Sequence, residues 1–269
     1  MIPKTIHYCW FGGKPLPEDA LKCIESWKKY CPDFELREWN ETNFDFSECQ
    51  YACEAYAAKK WAFVSDYARF RILYDHGGVY FDTDVELLRP IDHLLEAGPF
   101  MGFEKGTSVT PDMGLAVAPG LGLAAEPGMD FYKTMIDKYK TLHFLRDDGT
   151  NNLKTVVMYT TEELIKCGLQ NKPGIQTVSD IILYPPEYFC PKDYQTGTIQ
   201  ITDNTYSIHH FKASWHSDVE AYTAKLAQIM YGKVPSQIAG PLSALIAYLK
   251  IKGIHETAIR IKKHIKRCK

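Results

Sequence analysis

Val79-Tyr80-Phe81-Asp82-Thr83-Asp84-Val85-Glu86 is the stretch on which the reading of this chain turns. Three apolar residues form a short predicted strand, and two carboxylates follow directly at its C-terminal end. Ligands of open α/β sheets collect at that end of the strands. On an extended chain, residues two apart project to the same side, so Asp82 and Asp84 can address one cation. Oxygen ligation beside phosphate oxygens suits Mg2+ or Mn2+, which neutralise charge on a departing diphosphate. An Asp-x-Asp triplet alone says little, since any acidic loop can contain one, and its neighbours decide its weight.

Upstream, a long helical pattern from about Tyr56 to Asp75 closes at His76-Gly77-Gly78, a glycine stop signal. It carries Asp66 and Arg69, three residues apart and so neighbours on one face. Such pairs are usually surface pairs of little energetic weight. Here the helix leads into the strand that bears Asp82, where an acid can hold sugar hydroxyls and an arginine can hold phosphate. Before it lie a strand over Lys4 to Trp10, a turn-rich loop to Pro17, a helix over Pro17 to Lys29 and a strand over Phe34 to Trp39. After it, Phe100 to Phe103, Leu115 to Ala118, Gly122 to Ala125 and Tyr206 to Phe211 are expected as strands, and Thr198 to Ile201 alternates as a strand would. Asp130 to Tyr139 and Thr161 to Lys166 are expected as helices. His209 and His210 are adjacent on a strand and face opposite ways, so only one can look into a site.

The 269 residues are 45% apolar and 24% charged, which suits a folded α/β domain with a sizeable core. A formal net charge of −2 argues against general nucleic-acid binding, which needs a broad basic surface. The eight cysteines contain no CxxC pair, and Cys49 and Cys53 have no matching Cys or His pair downstream, so reduced thiols are expected. The N-terminus shows no signal-peptide pattern, and no uncharged apolar run approaches the roughly 20 residues that span a bilayer. A cytoplasmic protein is the expectation, either soluble or peripheral on the inner face of the membrane. From Lys250 to Lys269 eight Lys/Arg face one acid, Glu256, with Ile254, Ala258, Ile261 and Ile265 at helical spacing. This predicts a catalytic domain over 1–240 and a basic amphipathic helical tail over 241–269 that can contact an anionic membrane.

Ala62-Phe63-Val64-Ser65-Asp66-Tyr67-Ala68-Arg69, followed by Leu73 through Glu86, closely resembles the DxD region of glycosyltransferase family 32. That family includes bacterial capsule and polysaccharide sugar transferases, fungal Golgi mannosyltransferases and, distantly, the glucosylating domains of large bacterial toxins. Ile2 through Gly13 looks like the family's opening strand, and Tyr206 through Trp215 like its closing motif. The resemblance implies a GT-A fold with a mixed, mainly parallel sheet. It also implies metal-dependent retaining transfer of a hexose from a nucleotide-diphospho-sugar, UDP-sugar favoured, to a saccharide or lipid-linked saccharide acceptor in surface polysaccharide synthesis. Mn2+ or Mg2+ is the implied cofactor.

Carried over by position, Trp10 falls against the nucleotide base, Asp66 at the donor sugar and Arg69 at the phosphate. Asp82 meets ribose and metal-bound water, and Asp84 ligates the metal. A late histidine is the usual third ligand; an aromatic residue often follows it, which favours His210 with Phe211 and leaves His209 as the alternative. Ser214 and Trp215 would close over the diphosphate and metal. Ala118-Pro119-Gly120-Leu121 and Ala124 through Gly128 resemble the central block where donor sugar and acceptor meet, with Ala118 where relatives often have asparagine. No nucleophile is assigned. Two rival readings are a haloacid dehalogenase-like phosphatase, with Asp82 as nucleophile and Asp84 as acid, and a catalytically silent sugar-nucleotide or glycan-binding protein. The phosphatase motif belongs on a first strand, and metal-dependent donor turnover separates the binding protein from the enzyme.

Overall fold

A computed structural model describes residues 1–105, 115–193, 196–212, 218–230 and 233–267. Its first half runs β1 (Thr5–Cys9), α1 (Glu18–Tyr30), β2 (Glu35–Trp39), α2 (Gln50–Ala57), α3 (Trp61–His76), β3 (Gly78–Tyr80), β4 (Val85–Leu87) and α4 (Asp92–Ala97). Next come β5 (Phe100–Lys105), β6 (Leu115–Val117), a 3-10 turn at Pro119–Leu121, β7 (Leu123–Ala125), α5 (Asp130–Lys140) and α6 (Val156–Lys166). The chain closes with β8 (Gln176–Val178), β9 (Ile181–Tyr184), α7 (Pro186–Phe189), β10 (Ser207–His209), α8 (Asp218–Met230) and α9 (Ser236–Arg267).

Eight strands form one sheet in the order β2-β1-β3-β7-β5-β9-β8, with β6 on β5. Strands β1, β2, β3, β5 and β9 run one way, while β6, β7 and β8 run against them. The α/β class with a mixed, mainly parallel sheet is therefore as expected. Strand alternation divides the core between the two faces. Ile6, Val79, Phe100 and Ala124 pack with Ile24 and Trp27 of α1, whereas Cys9, Tyr80, Met101, Leu123 and Ile181 pack with α3 and α5.

Helix α3 is buried on most sides, with Phe63, Val64, Tyr67, Phe70 and Leu73 in the core beside Asp66 and Arg69. The single helix read from about Tyr56 to Asp75 is in fact two, because Lys59 adopts a left-handed φ of 57° between α2 and α3. The alternating Thr198 to Ile201 forms no strand; only an isolated bridge joins Ile199 to Lys192. The glycine stop is obligatory. Gly77 and Gly78 have φ of 64° and 95°, and a Cβ on Gly78 would sit 2.7 Å from the Thr5 carbonyl oxygen.

Two compact units emerge, one of residues 1–192 with 199–211 and the other of 193–198 with 212–269. The first holds the sheet. In the second, α8 packs along α9, which is broken at Gly253 (φ 81°, ψ 173°). This division falls upstream of the 240/241 boundary suggested by charge. The seven described cysteines form no disulfide with one another, and no described helix is long and apolar enough to cross a membrane.

His7 ties β1 and β2 to the glycine turn. Its Nε2–H donates to the Gly77 carbonyl (3.0 Å), and its Nδ1 accepts from the Trp39 indole N–H (3.0 Å). A second ring proton would point at the Trp39 N–H. Burial, aided by His76 and Arg37 and opposed by the Gly77 carbonyl, lowers the His7 pKa from 6.5 to about 4. The folded state thus resists protonation that the unfolded chain accepts, so His7 contributes fully above pH 6.5 and its contribution fades as pH falls toward about 4. We predict a loss of roughly 3 kcal/mol across that window from this group. Denaturant titrations of wild type and His7→Gln should show a flatter pH slope in the variant; identical slopes would remove His7 as the cause.

Candidate active site

Strand β3 ends at Tyr80, and the Phe81 N–H donates to the His7 carbonyl (3.1 Å). The chain then turns, with the Val85 N–H donating to the Asp82 carbonyl (3.0 Å). The two aspartates therefore meet through a turn, not through the alternation of an extended strand expected from sequence. Helix α1 fixes the exit from this turn. The Trp27 indole donates to the Val85 carbonyl (2.7 Å), and the Leu87 N–H donates to Ser26 Oγ (2.9 Å).

Strand β10 pairs antiparallel with β4, setting Ser207 opposite Leu87 and His209 opposite Val85. This register brings His209 to the aspartates: one ligand atom each from Asp82, Asp84 and His209 lie within 4.8 Å of one another. His209 Nε2 is 3.1 Å from Asp84 Oδ1. His210 is turned the other way, to Glu86 Oε2 at 2.8 Å, while Lys192 Nζ donates to its carbonyl (2.7 Å). It is thus His209, the alternative read from sequence, and not the favoured His210 that lies beside the aspartates. The aromatic cue misled because Phe211 adopts a left-handed φ of 53° and its ring returns edge-on to His209, 4.4 Å between centroids.

Burial disfavours the His209 imidazolium, but Asp84 first, then Asp82 and Glu104, outweigh it and raise the pKa above the ordinary value. Its Nδ1 is sealed from solvent and has no hydrogen-bond partner among the described residues. Two carboxylates and one imidazole make a donor set that fits a divalent cation.

Beneath this trio lies Arg69, whose Nη2 is 3.1 Å from Asp66 Oδ1 and 3.3 Å from Asp82 Oδ1. Arg69 Nε donates to the Ser65 carbonyl (3.1 Å), and the guanidinium lies over the Tyr80 ring. The Tyr80 hydroxyl donates to Asp82 Oδ1 (3.2 Å). With Arg69 3% and Asp66 10% exposed, the surface-pair reading of these residues fails. Burial pushes the Asp66 carboxyl up to about 7 against the pull of Arg69, and Asp82 adds to the rise. Arg69 is engaged mainly in bracing carboxylates; its Nη1 is buried without a partner among the described residues.

Gly120, in the 3-10 turn, presses on the same carboxylate. The Asp82 N–H donates to the Gly120 carbonyl (3.3 Å), and a Cβ on Gly120 would stand 2.2 Å from Asp82 Oδ2. Trp10 follows β1 at the same edge of the sheet, half-buried, with its N–H donating to the Trp39 carbonyl (2.9 Å) and its indole to the Lys14 carbonyl (2.6 Å). The adjacent Gly12 N–H donates to the Glu41 carboxylate, which also accepts from the Tyr56 hydroxyl (3.2 Å). Sequence reasoning missed Tyr80, Glu41, Ser26 and Trp27 as supports, since each acts on a partner brought near by folding or has no motif of its own. Ser214 and Trp215 lie outside the described residues.

Residues 17–101, which span α1 through the start of β5 and include Arg69 and both aspartates, match the family described as "Glycosyltransferase sugar-binding region containing DXD motif". Over those residues the chain is similar to a DXD-containing glycosyltransferase sugar-binding region. It is 30% identical over 126 residues to inositol phosphoceramide mannosyltransferase 3 of Schizosaccharomyces pombe, covering 39% of this chain and 34% of that protein. An uncharacterized glycosyltransferase, L373, of Acanthamoeba polyphaga mimivirus is 30% identical over 111 residues, covering 37% and 42%. The matches thus span well under half the length of these relatives. Among solved structures, the galactosyltransferase LgtC with donor and acceptor sugar analogs is similar at TM-score 0.42 and 15% identity, covering 88% of this chain and 99% of that one. A glycosyltransferase involved in glycosylation of the major capsid of PBCV-1 is similar at TM-score 0.42 and 12% identity, covering 81% and 96%.

Gly120 and Asp82 are too close to admit a side chain between them. Gly120→Ala must displace either Asp82 or the 3-10 turn, and loss of a group that orients a metal-binding carboxylate weakens metal binding about 10–100-fold. Mn2+ titration followed by calorimetry should show that loss with the fold retained by circular dichroism. An unchanged Mn2+ isotherm would mean that Asp82 does not hold the ion.

Proposed function

We propose that this protein is a metal-dependent, retaining glycosyltransferase of the GT-A type that moves a hexose from a nucleotide-diphospho-sugar, UDP-sugar favoured, to a saccharide or lipid-linked saccharide acceptor. The observation that carries the proposal is the convergence of Asp82, Asp84 and His209, at the carboxyl edge of β1 and β3, inside and beside a DXD sugar-binding region. These three residues would hold Mn2+ or Mg2+. Once bound, such an ion neutralises charge on a leaving diphosphate.

The chain's own residues supply the rest. Arg69 and Tyr80 lock Asp82 in place, so the carboxylate does not reorganise when the donor arrives. Asp66, held by the same guanidinium through Oδ1, is the group assigned to a donor-sugar hydroxyl. Trp10 offers an indole for the base, on a loop stiffened through Gly12 and Glu41. Two curated relatives are named as inositol phosphoceramide mannosyltransferases, which puts mannose and a lipid-linked acceptor among the first substrates to test. A cytoplasmic role in surface polysaccharide synthesis belongs to the same proposal.

A screen of UDP- and GDP-sugars with Mn2+ or Mg2+, scored by donor hydrolysis, tests this without an acceptor. Turnover is expected only with metal. Asp84→Asn should abolish it, Asp82→Asn should be nearly as damaging, and His209→Ala should raise the metal concentration needed. Metal-independent hydrolysis retained by Asp84→Asn would overturn the proposal, and tight donor binding without any turnover would support a silent binding protein.

Trp10→Ala is expected to weaken UDP or GDP binding by roughly 1 to 3 kcal/mol, as for other base–aromatic contacts. Calorimetric titration against both nucleotides checks this. Unaltered nucleotide affinity with a lowered melting temperature would place the indole in the packing instead.

A further inference from the structure

Helix α9 is apolar on two faces. One is used: Ala239, Ser243 and Ala247 are buried, Ser243 Oγ lies 3.5 Å from the Met230 sulfur at the end of α8, and Lys250 Nζ donates to the Tyr222 hydroxyl of α8 (3.0 Å). The other face is open. Ile238, Leu242, Leu245 and Leu249 follow one another at helical spacing of four, three and four residues and remain 37–54% exposed. A helix that presents a second apolar stripe has a further surface to cover.

Charge says what covers it. Residues 212–269 carry eleven Lys/Arg against Asp218, Glu220 and Glu256, a surplus of eight positive charges in a chain whose formal net charge is −2. The basic residues concentrate just beyond the stripe, beginning with Lys250 and Lys252. A second copy laid on this face would bring two such surpluses together, which is repulsive. An anionic lipid surface satisfies both features at once, since acyl chains accept the leucines and headgroup phosphates attract the lysines and arginines.

We propose that α9 docks this protein on anionic membranes, with Ile238, Leu242, Leu245 and Leu249 entering the headgroup boundary and the basic residues from Lys250 onward gripping lipid phosphates. This stripe precedes the break at Gly253, unlike the one read from sequence, Ile254, Ala258, Ile261 and Ile265, of which Ile254 is 80% exposed. The side chains from Ala258 onward lie outside the described residues.

The test is co-sedimentation of the full chain with vesicles of phosphatidylcholine alone or of equal parts phosphatidylcholine and phosphatidylglycerol, at low and high salt. Binding is expected to the anionic vesicles only and to be lost at high salt. The double variant Leu245→Ser with Leu249→Ser should reduce partitioning about ten-fold, because the apolar anchor is removed while the charges stay. Lys262→Glu with Lys263→Glu, a second variant that leaves the described apolar stripe untouched, should also lose binding. Light scattering and thermal melts of each protein accompany the assay. Absence of wild-type binding at low salt overturns the proposal, as does undiminished binding of the folded leucine variant. A wild-type dimer that the leucine variant dissociates, with no vesicle binding, would assign the stripe to a second copy instead.

Discussion

Arg69, sealed in the protein between Asp66 and Asp82, is the interaction from which the site is built. A guanidinium stripped of water is costly to bury unless its hydrogen bonds and charge are met. Here two carboxylates, the Ser65 carbonyl and the face of Tyr80 meet most of that demand. Because Asp66 and Arg69 belong to α3 while Asp82 begins the turn after β3, the ion pair locks a helix to a turn. The tight glycine link between them leaves little slack. Asp82 then becomes the fixed point to which the Tyr80 hydroxyl and the Gly120 backbone are fitted, with Asp84 two residues on.

Charge in this small volume is unbalanced. Asp66, Asp82 and Asp84 contribute three acids against one guanidinium; burial pushes the Asp66 pKa up, and Asp84 and Asp82 raise that of His209. The rise at Asp66 comes mainly from burial, which disfavours any charge, whereas the rise at His209 comes from neighbouring carboxylates, which favour a positive one. Support comes from well outside the motif. Trp27 and Ser26 on α1 pin the strand after the aspartates, and β10 arrives from more than a hundred residues downstream to place His209 beside Asp84. The matched region, 17–101, holds the carboxylates but not the histidine.

Several elements were legible in the sequence because they rest on local rules. An apolar run followed by acids marked the edge of a strand, two glycines after a helical pattern marked its end, and a spacing of three put Asp66 and Arg69 on one helical face. These are properties of a few neighbouring residues and hold almost wherever the segment lies. Local rules failed where two outcomes were locally equivalent. A helix over 56–75 and two helices broken at Lys59 have much the same composition, and His209 and His210 have equal claims on any strand.

By itself, then, the sequence determined the α/β class, the strand that carries the aspartates, the helix that carries the arginine and the basic character of the C-terminal segment. Tertiary structure alone decided that the aspartates meet in a turn, that His209 and not His210 lies beside them, that Arg69 is buried as a brace, and that Ile238, Leu242, Leu245 and Leu249 of α9 stay exposed. The reason is physical: strand register, burial and the facing of a helix depend on contacts between residues far apart in the chain, and a one-residue change in register would have exchanged the two histidines.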